Sequence, residues 1–300
     1  MKFALSTNWC NRRIESGEEI AETALALGFD ELELGFHTTQ QQVKGFKARL
    51  DRIPVGSVHA FCPVPISAPQ GYPELYLLAD FDDEMRAMAR IHVKRNIAFA
   101  ASMGAGALVL HAGRVMCRGF LKSRDLKRRV KRGAKMVDVF KRELDQIVPE
   151  LEKNKVVLGL ENLPYLEGFP AEWELADLVG DWVKPWFDTG HDYVRQQKGW
   201  NGKGTEDSSR SGKDSAAPLL APIGLHINDS NGGDDHLPPG EGKIDFAALK
   251  PLAEQARHLV FEPHSEVTEE ALRMGLTHLR ALWDGRGGED ERRQATNEKR

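Results

Sequence analysis

The stretch "VVLGLENLP", Val156–Pro164, sets an unbroken apolar run directly against a glutamate, an asparagine and a proline. A strand with one wet face alternates apolar and polar residues. This run does not, so it reads as a strand buried on both faces, as in a parallel sheet covered by helices. The runs "ALVL" (107–110) and "HLVF" (258–261) have the same character. Working outward from Val156–Glu161, further strand candidates fall at Lys2–Ser6, Asp30–Leu34, Gly56–Phe61, Ala107–His111, Val183–Asp188, Gly224–Ile227 and His258–Glu262, eight in all.

Between them the period changes to that of a helix. "GEEIAETALALG" (17–28) places Ile20, Ala24, Leu25 and Leu27 at helical intervals and stops at Gly28. "DFDDEMRAMARIHVKRNIAFAASMG" (80–104) opens on acids, which suit the positive end of a helix dipole, and stops at Gly104. "EVTEEALRMGLTHLRALW" (266–283) is the last helix. Eight strands alternating with helices predict a (β/α)8 TIM barrel over residues 1–284, with an open doubly wound sheet as the alternative. Residues 196–218, rich in Gly, Ser, Lys and Asp, predict a flexible loop after the sixth strand. In a barrel that loop stands over the mouth, as a lid or as a plain insertion. The charged tail 285–300 is expected to be disordered.

Three hundred residues suit one such barrel, and 41% apolar residues supply its core. A net charge of −4 offers no electrostatic argument for a polyanionic partner. Cys10, Cys62 and Cys117 stand far apart with no C-x-x-C pair, which argues against a disulfide scaffold and for a reducing compartment. "MKFALSTNWC" carries no apolar run of signal length, and no stretch approaches the roughly 18 apolar residues of a membrane span. A cytoplasmic protein without a membrane partner is expected.

Chemistry in a barrel gathers at the C-terminal ends of its strands. Strand three ends near His59, strand four at His111, strand five at Glu161 and strand six at Asp188, with His191 three residues on; strand seven ends at His226 and strand eight at Glu262. Any one of these alone reads as an ordinary hydrogen-bonded or solvated loop residue. Together they do not, because charges on a buried rim must be paired or coordinated. Mixed imidazole and carboxylate donors suit Zn²⁺, Mn²⁺, Fe²⁺ or Co²⁺, and disfavour Ca²⁺ and Mg²⁺, which prefer oxygen alone.

The ordered set "LENLP", "DTGH", "LHINDS…DDHLPPGEGKIDF" and "FEPH" resembles the xylose-isomerase-like barrel superfamily. That superfamily holds sugar and sugar-phosphate isomerases and epimerases, and the endonuclease IV type of apurinic-site nuclease. The isomerase resemblance implies one divalent metal on Glu161, Asp188, His226 and Glu262, with Zn²⁺ or Mn²⁺ first and Co²⁺ or Fe²⁺ as alternatives. It implies Glu161 and Glu262 as base and acid around a metal-stabilised enediolate, and His191 on a substrate oxygen. The nuclease resemblance implies His59 and His111 around a second metal and His191, Asp234 and His236 around a third, with Asp235 competing for the place of Asp234. In an isomerase, His59, His111, His191 and His236 are expected to contact substrate instead. The implied partner is a small carbohydrate, with nucleic acid only under the nuclease reading; a homo-oligomer stays open. The stretch 59–86 is similar to the corresponding loop and helix start of sugar-type members. A barrel that binds a ligand without turning it over is a third reading.

Some residues carry two readings each. "RGFLKSRDLKRRVKRGAK" (118–135) holds nine Lys or Arg against one Asp and reads as a phosphate-facing patch or as the solvated face of a long helix. His37, His92, His258 and His278 read as structural or exposed. Glu33 lines the mouth or packs below it, and nothing fixes His264 at the site. Trp9, Phe61 and Trp200 read as packing residues or as an apolar wall for a sugar ring.

Overall fold

The computed structural model describes residues 1–115, 124–200 and 220–285. Eight parallel strands close a barrel: β1 (Ala4–Ser6), β2 (Glu31–Leu34), β3 (Val55–His59), β4 (Ala107–Leu110), β5 (Val157–Glu161), β6 (Val183–Asp188), β7 (Gly224–His226) and β8 (His258–Phe261). Each strand pairs with its neighbours in the sequence, and β8 returns to β1 with Ala4 opposite Val260. Closure rules out the open doubly wound sheet. The strand ends differ from expectation by one or two residues, so His111 and Glu262 stand just past β4 and β8.

Helices α1 (Gly17–Leu27), α2 (Gln40–Lys47), α3 (Asp83–Ser102), α4 (Arg124–Asn154), α5 (Glu172–Leu175), α6 (Thr189–Gln197), α7 (Phe246–Ala253) and α8 (Glu269–Asp284) alternate with the strands. Their starts are written in the sequence as caps. The side chains of Ser16, Thr39, Asp82, Asp188, Asp245 and Thr268 each accept a backbone N–H of the first turn. Gly28 closes α1 at φ 94°. The main core joins the buried faces of the helices, such as Ile20, Ile97 and Leu272, to strand residues Leu5, Leu32 and Val58. No helix among the described residues is long and apolar enough to cross a membrane.

Inside the barrel a second, smaller cluster of Ala4, Ala107, Val109, Trp186 and Val260 forms the floor of the mouth. Small residues surround one large ring that fills the interior. Gly159 on β5 and Gly224 on β7 flank Trp186, and a Cβ on either would lie 2.8 or 2.3 Å from its ring. The ring meets His226 above it edge-on, with centroids 5.2 Å apart, and stacks on His258 at 5.8 Å. Burial holds His258 down at about pKa 4, so it is a neutral part of this floor.

The mouth loops are tied down from outside. Gly113–Arg114 pairs antiparallel with Gly168–Phe169, joining the loops after β4 and β5. Arg129, fully buried, donates to Leu166 O (3.0 Å), Gly168 O (2.6 Å) and both oxygens of Glu174 (2.6 and 2.8 Å). One cation of the basic stretch is therefore an internal brace. Lys127, Arg128, Lys131, Arg132 and Lys135 are exposed along α4, which is the solvated-face reading. Residues 118–123 of that stretch, most of the loop expected at 196–218 and the tail from 286 lie outside the described residues. Trp9 and Phe61 are buried packing residues rather than a sugar-facing wall.

Gly224→Ala should force Trp186 out of place and lower the unfolding free energy by about 1–3 kcal/mol. Urea denaturation followed by tryptophan fluorescence measures this, and an unchanged midpoint would contradict the packing of the floor.

Candidate metal centre

The barrel places one residue from each of several strand ends around a single buried point. In register, Asp188 on β6 stands beside His226 on β7. One donor atom each from Glu161, Asp188, His226 and Glu262 lies within 4.8 Å of the others, and all four residues are buried. His226 Nδ1 is 3.0 Å from Glu161 Oε1, 3.2 Å from Glu262 Oε2 and 3.8 Å from Asp188 Oδ2. A second group shares Glu161: its Oε2 is 3.1 Å from both His59 Nε2 and His111 Nε2. Six of the nine residues expected at the rim therefore fall into these two groups, and His191 Nδ1 stands 3.5 Å from Glu161 Oε1 beside them.

The second nitrogen of each imidazole shows how the rings are aimed. His59 Nδ1 is 2.9 Å from Ala60 O, which accepts its N–H, so Nε2 is the nitrogen aimed at Glu161. His226 Nε2 lies 3.4 Å from Glu33 Oε2, which leaves Nδ1 facing the carboxylates. His111 Nδ1 faces Glu74 Oε1 at 3.7 Å, and Glu74 is itself ion-paired to Arg114. Ring nitrogens and carboxylate oxygens thus converge, with the outer nitrogens of His59 and His226 held, the arrangement that metal-ligating histidines adopt. The donor set fits a divalent cation.

A family model described as a xylose isomerase-like TIM barrel matches residues 21–282. The chain belongs to the xylose isomerase-like TIM barrel family. Among solved structures it resembles a D-tagatose 3-epimerase-like protein, with TM-score 0.63 and 23% identity over 93% of this chain and 98% of that one. It resembles 3-keto-D-glucoside 4-epimerase from E. coli, with TM-score 0.64 and 18% identity over 94% and 99% of the two chains. It also resembles a D-psicose 3-epimerase solved in the presence of D-fructose, with TM-score 0.63 and 16% identity over 96% and 100%. No curated protein sequence matches it.

In this xylose isomerase-like barrel the remaining three expected ligands do not form one group among the described residues. His191 Nδ1 is 2.8 Å from Asn162 O, and His236 Nδ1 is 2.7 Å from Glu262 O; their rings meet edge-on at 5.4 Å. Asp234 is elsewhere: its Oδ1 accepts from His264 Nε2 at 2.9 Å, in an outer cluster with Asp235. The spacing in "DDH" correctly brings His236 to the rim but does not bring Asp234 with it. His264, for which the sequence supplies no anchor, is the residue that holds Asp234 outside.

Several residues around this cluster lack an obvious sequence signal. Asn8 Nδ2 donates to Glu262 Oε1 at 3.0 Å, and Asn228 Nδ2 to Asp188 Oδ2 at 2.7 Å. Glu33, fully buried, accepts from Ser57 Oγ at 2.8 Å as well as from His226, so it backs the site and does not line the open mouth. Asp229 organises the whole loop after β7. Its Oδ1 accepts from the backbone N–H of Ser230 (2.8 Å) and Ile244 (3.0 Å), and its Oδ2 from Gly240 (2.9 Å) and Gly242 (2.8 Å). Gly242 must be glycine for this clasp, since a Cβ there would lie 2.2 Å from Asp229 Oδ1. The "HINDS" and "GEG" pieces are two halves of one device.

Charge is balanced inside the site. Burial alone would push the Glu161 carboxyl up, but His226 and His111 hold it well below the usual carboxylate range. Glu262 is lowered in the same way, burial being outweighed by His226 and then His59. At Asp188 burial wins and the carboxyl is raised, against the pull of His191 and His236. Burial disfavours charged imidazoles, yet Glu262, Glu161 and Glu33 lift His226 well above its ordinary value, and Glu161 and Glu74 lift His111 to about 9. His236 is raised by Glu262 and Asp188 despite its burial.

A cation taken up here must displace protons from these imidazoles. Metal binding should therefore release protons, and apparent affinity should climb as rising pH takes the proton from the raised imidazole of His226. Calorimetry in buffers of different ionisation enthalpy reads the release; binding without proton release would exclude these histidines as ligands. Glu33→Gln should weaken metal binding by about 10–100-fold by freeing the outer nitrogen of His226. Competition with a chromophoric chelator measures it, and unchanged affinity would remove His226 from the ligand set.

Proposed function

We propose that this chain is a divalent-metal-dependent isomerase or epimerase of a sugar or sugar phosphate. The observation that carries the reading is the convergence of two buried carboxylates, Glu161 at 3.0 Å and Glu262 at 3.2 Å, on one nitrogen of His226. Moving a proton between the faces of one carbon, or between adjacent carbons, needs one group to take it and another to return it. Glu161 ends β5 and Glu262 follows β8, with β6 and β7 between them around the barrel. They therefore reach a bound substrate from different sides. One glutamate removes the proton from the carbon beside a carbonyl, leaving an enediolate, and the other delivers a proton to the opposite face. When bound by Glu161, Asp188, His226 and Glu262, Zn²⁺ or Mn²⁺ (or Co²⁺ or Fe²⁺) supplies a Lewis acid for the negative charge that develops on oxygen.

His191, at the start of α6, donates Nδ1–H to Asn162 O, which leaves Nε2 to accept a hydrogen bond from a substrate hydroxyl. His59, His111 and His236 complete the polar wall on the substrate. The solved structures that share this fold, two epimerases and a D-tagatose 3-epimerase-like protein, make ketoses the first substrates to try.

A second reading has its own observation. The same Glu161 Oε2 lies 3.1 Å from His59 Nε2 and His111 Nε2, so one carboxylate bridges two groups of donors. That donor set would suit a phosphoesterase with a two- or three-metal cluster, acting on abasic DNA or another phosphoester.

The deciding experiment incubates metal-replete protein with ketoses and ketose phosphates in D2O and follows deuterium at the carbon beside the carbonyl. Glu161→Gln should lower turnover by about 10²–10⁴-fold. One metal per chain, retained in His59→Ala, fits the isomerase. A second metal lost in His59→Ala, together with cleavage of an abasic duplex, would replace that reading with the hydrolase. Retained turnover in Glu161→Gln would remove both.

A further inference from the structure

Helix α3 buries Ala89, Val93, Ile97 and Ala100 and leaves its other side bare. On that bare side Met85, Met88 and Ile91 are 48%, 47% and 49% exposed, three of the seven large hydrophobic side chains that stand out among the described residues. A fourth, Ile66, is 94% exposed. With His92, Arg95 and Phe99 it lines a groove of about 690 Å³ running beside the helix. Apolar side chains gathered on one face in this way mark a binding surface rather than the scatter normal for a surface.

The charges around the stripe indicate what binds. Glu84 and Arg95 are eleven residues apart, which is about three turns of helix to within roughly 20°, so they share one face about 16 Å apart. Met88 and Ile91 lie between them, and the two pairs have the same midpoint along the helix. Neither Glu84 nor Arg95 makes an ion pair among the described residues. An acid at one end of an apolar stripe and a base at the other is self-complementary under a two-fold rotation. A flat anionic or cationic partner would meet one end favourably and be repelled by the other.

The geometry points to a second copy of this chain on that face. The α3 helices of two copies pack antiparallel about a two-fold axis midway between Met88 and Ile91. Met88 of each copy then lies on Ile91 of the other, and Glu84 faces Arg95 at both ends. A two-fold across the stripe keeps lateral sides together, so Met85 of each copy comes to the rim of the groove of the other. The contact uses the outer wall of the barrel and leaves the mouth open to substrate.

Sedimentation velocity of the full chain from about 1 to 100 µM tests this. A dimer is expected, with Met88→Glu raising its dissociation constant by at least about tenfold. Glu84→Arg and Arg95→Glu should each weaken it, and the double exchange Glu84→Arg/Arg95→Glu should restore it, with the far-ultraviolet circular dichroism of all variants unchanged. A protein that stays monomeric across this range overturns the proposal. So does a dimer that ignores Met88→Glu and both charge reversals.

Discussion

A single carboxylate governs the upper half of this barrel. Glu161 is fully buried, and a buried carboxylate is tolerated only when its oxygens are occupied by charged or hydrogen-bonding partners. Those partners are His59, His111 and His226, carried by β3, the residue after β4, and β7. Those three strands and β5, which carries Glu161, must therefore end at one height. Trp186 enforces the same level from beneath, touching His226 from the floor. Barrel closure and site assembly are one constraint satisfied once.

Rigidity follows from how the imidazoles are held. His59, His191 and His236 each spend Nδ1 on a backbone carbonyl, and His226 has its Nε2 against Glu33. These four rings are not free to turn, so their donor directions exist before any ligand arrives. The balance of charge is equally local. Carboxylates lowered by histidines and histidines raised by carboxylates keep each other ionised in a place where either alone would be neutral.

Much of this was legible in the sequence because strands order residues in one dimension. An apolar run that stops at a His, Asp or Glu places that residue on the rim whatever else the chain does. That is why all eight strands, and the meeting of Glu161, Asp188, His226, Glu262, His59 and His111, follow from reading strand ends. Asn8, Asn228 and Glu74 were not legible, since they reach the site through loops whose paths depend on what they pack against. Asp234 illustrates the same limit. Its position beside His236 in the chain puts it near the rim, but His264, thirty residues on, captures it. Arg129 shows the converse: within a run of solvated cations, only the tertiary fold singles out the one that turns inward.

The Asp229 clasp separates the loop after β7 into parts with different evolutionary freedom. Both the residue leaving His226 and the segment entering α7 are fastened to the same carboxylate. The chain from Asn231 to Pro239 is a bight tied off at its neck. Substitutions at its tip leave the ligand at its root in register, while His236, tied to Glu262 O, keeps its inner edge at the rim. A scaffold of this kind can acquire new substrates by rewriting that tip alone.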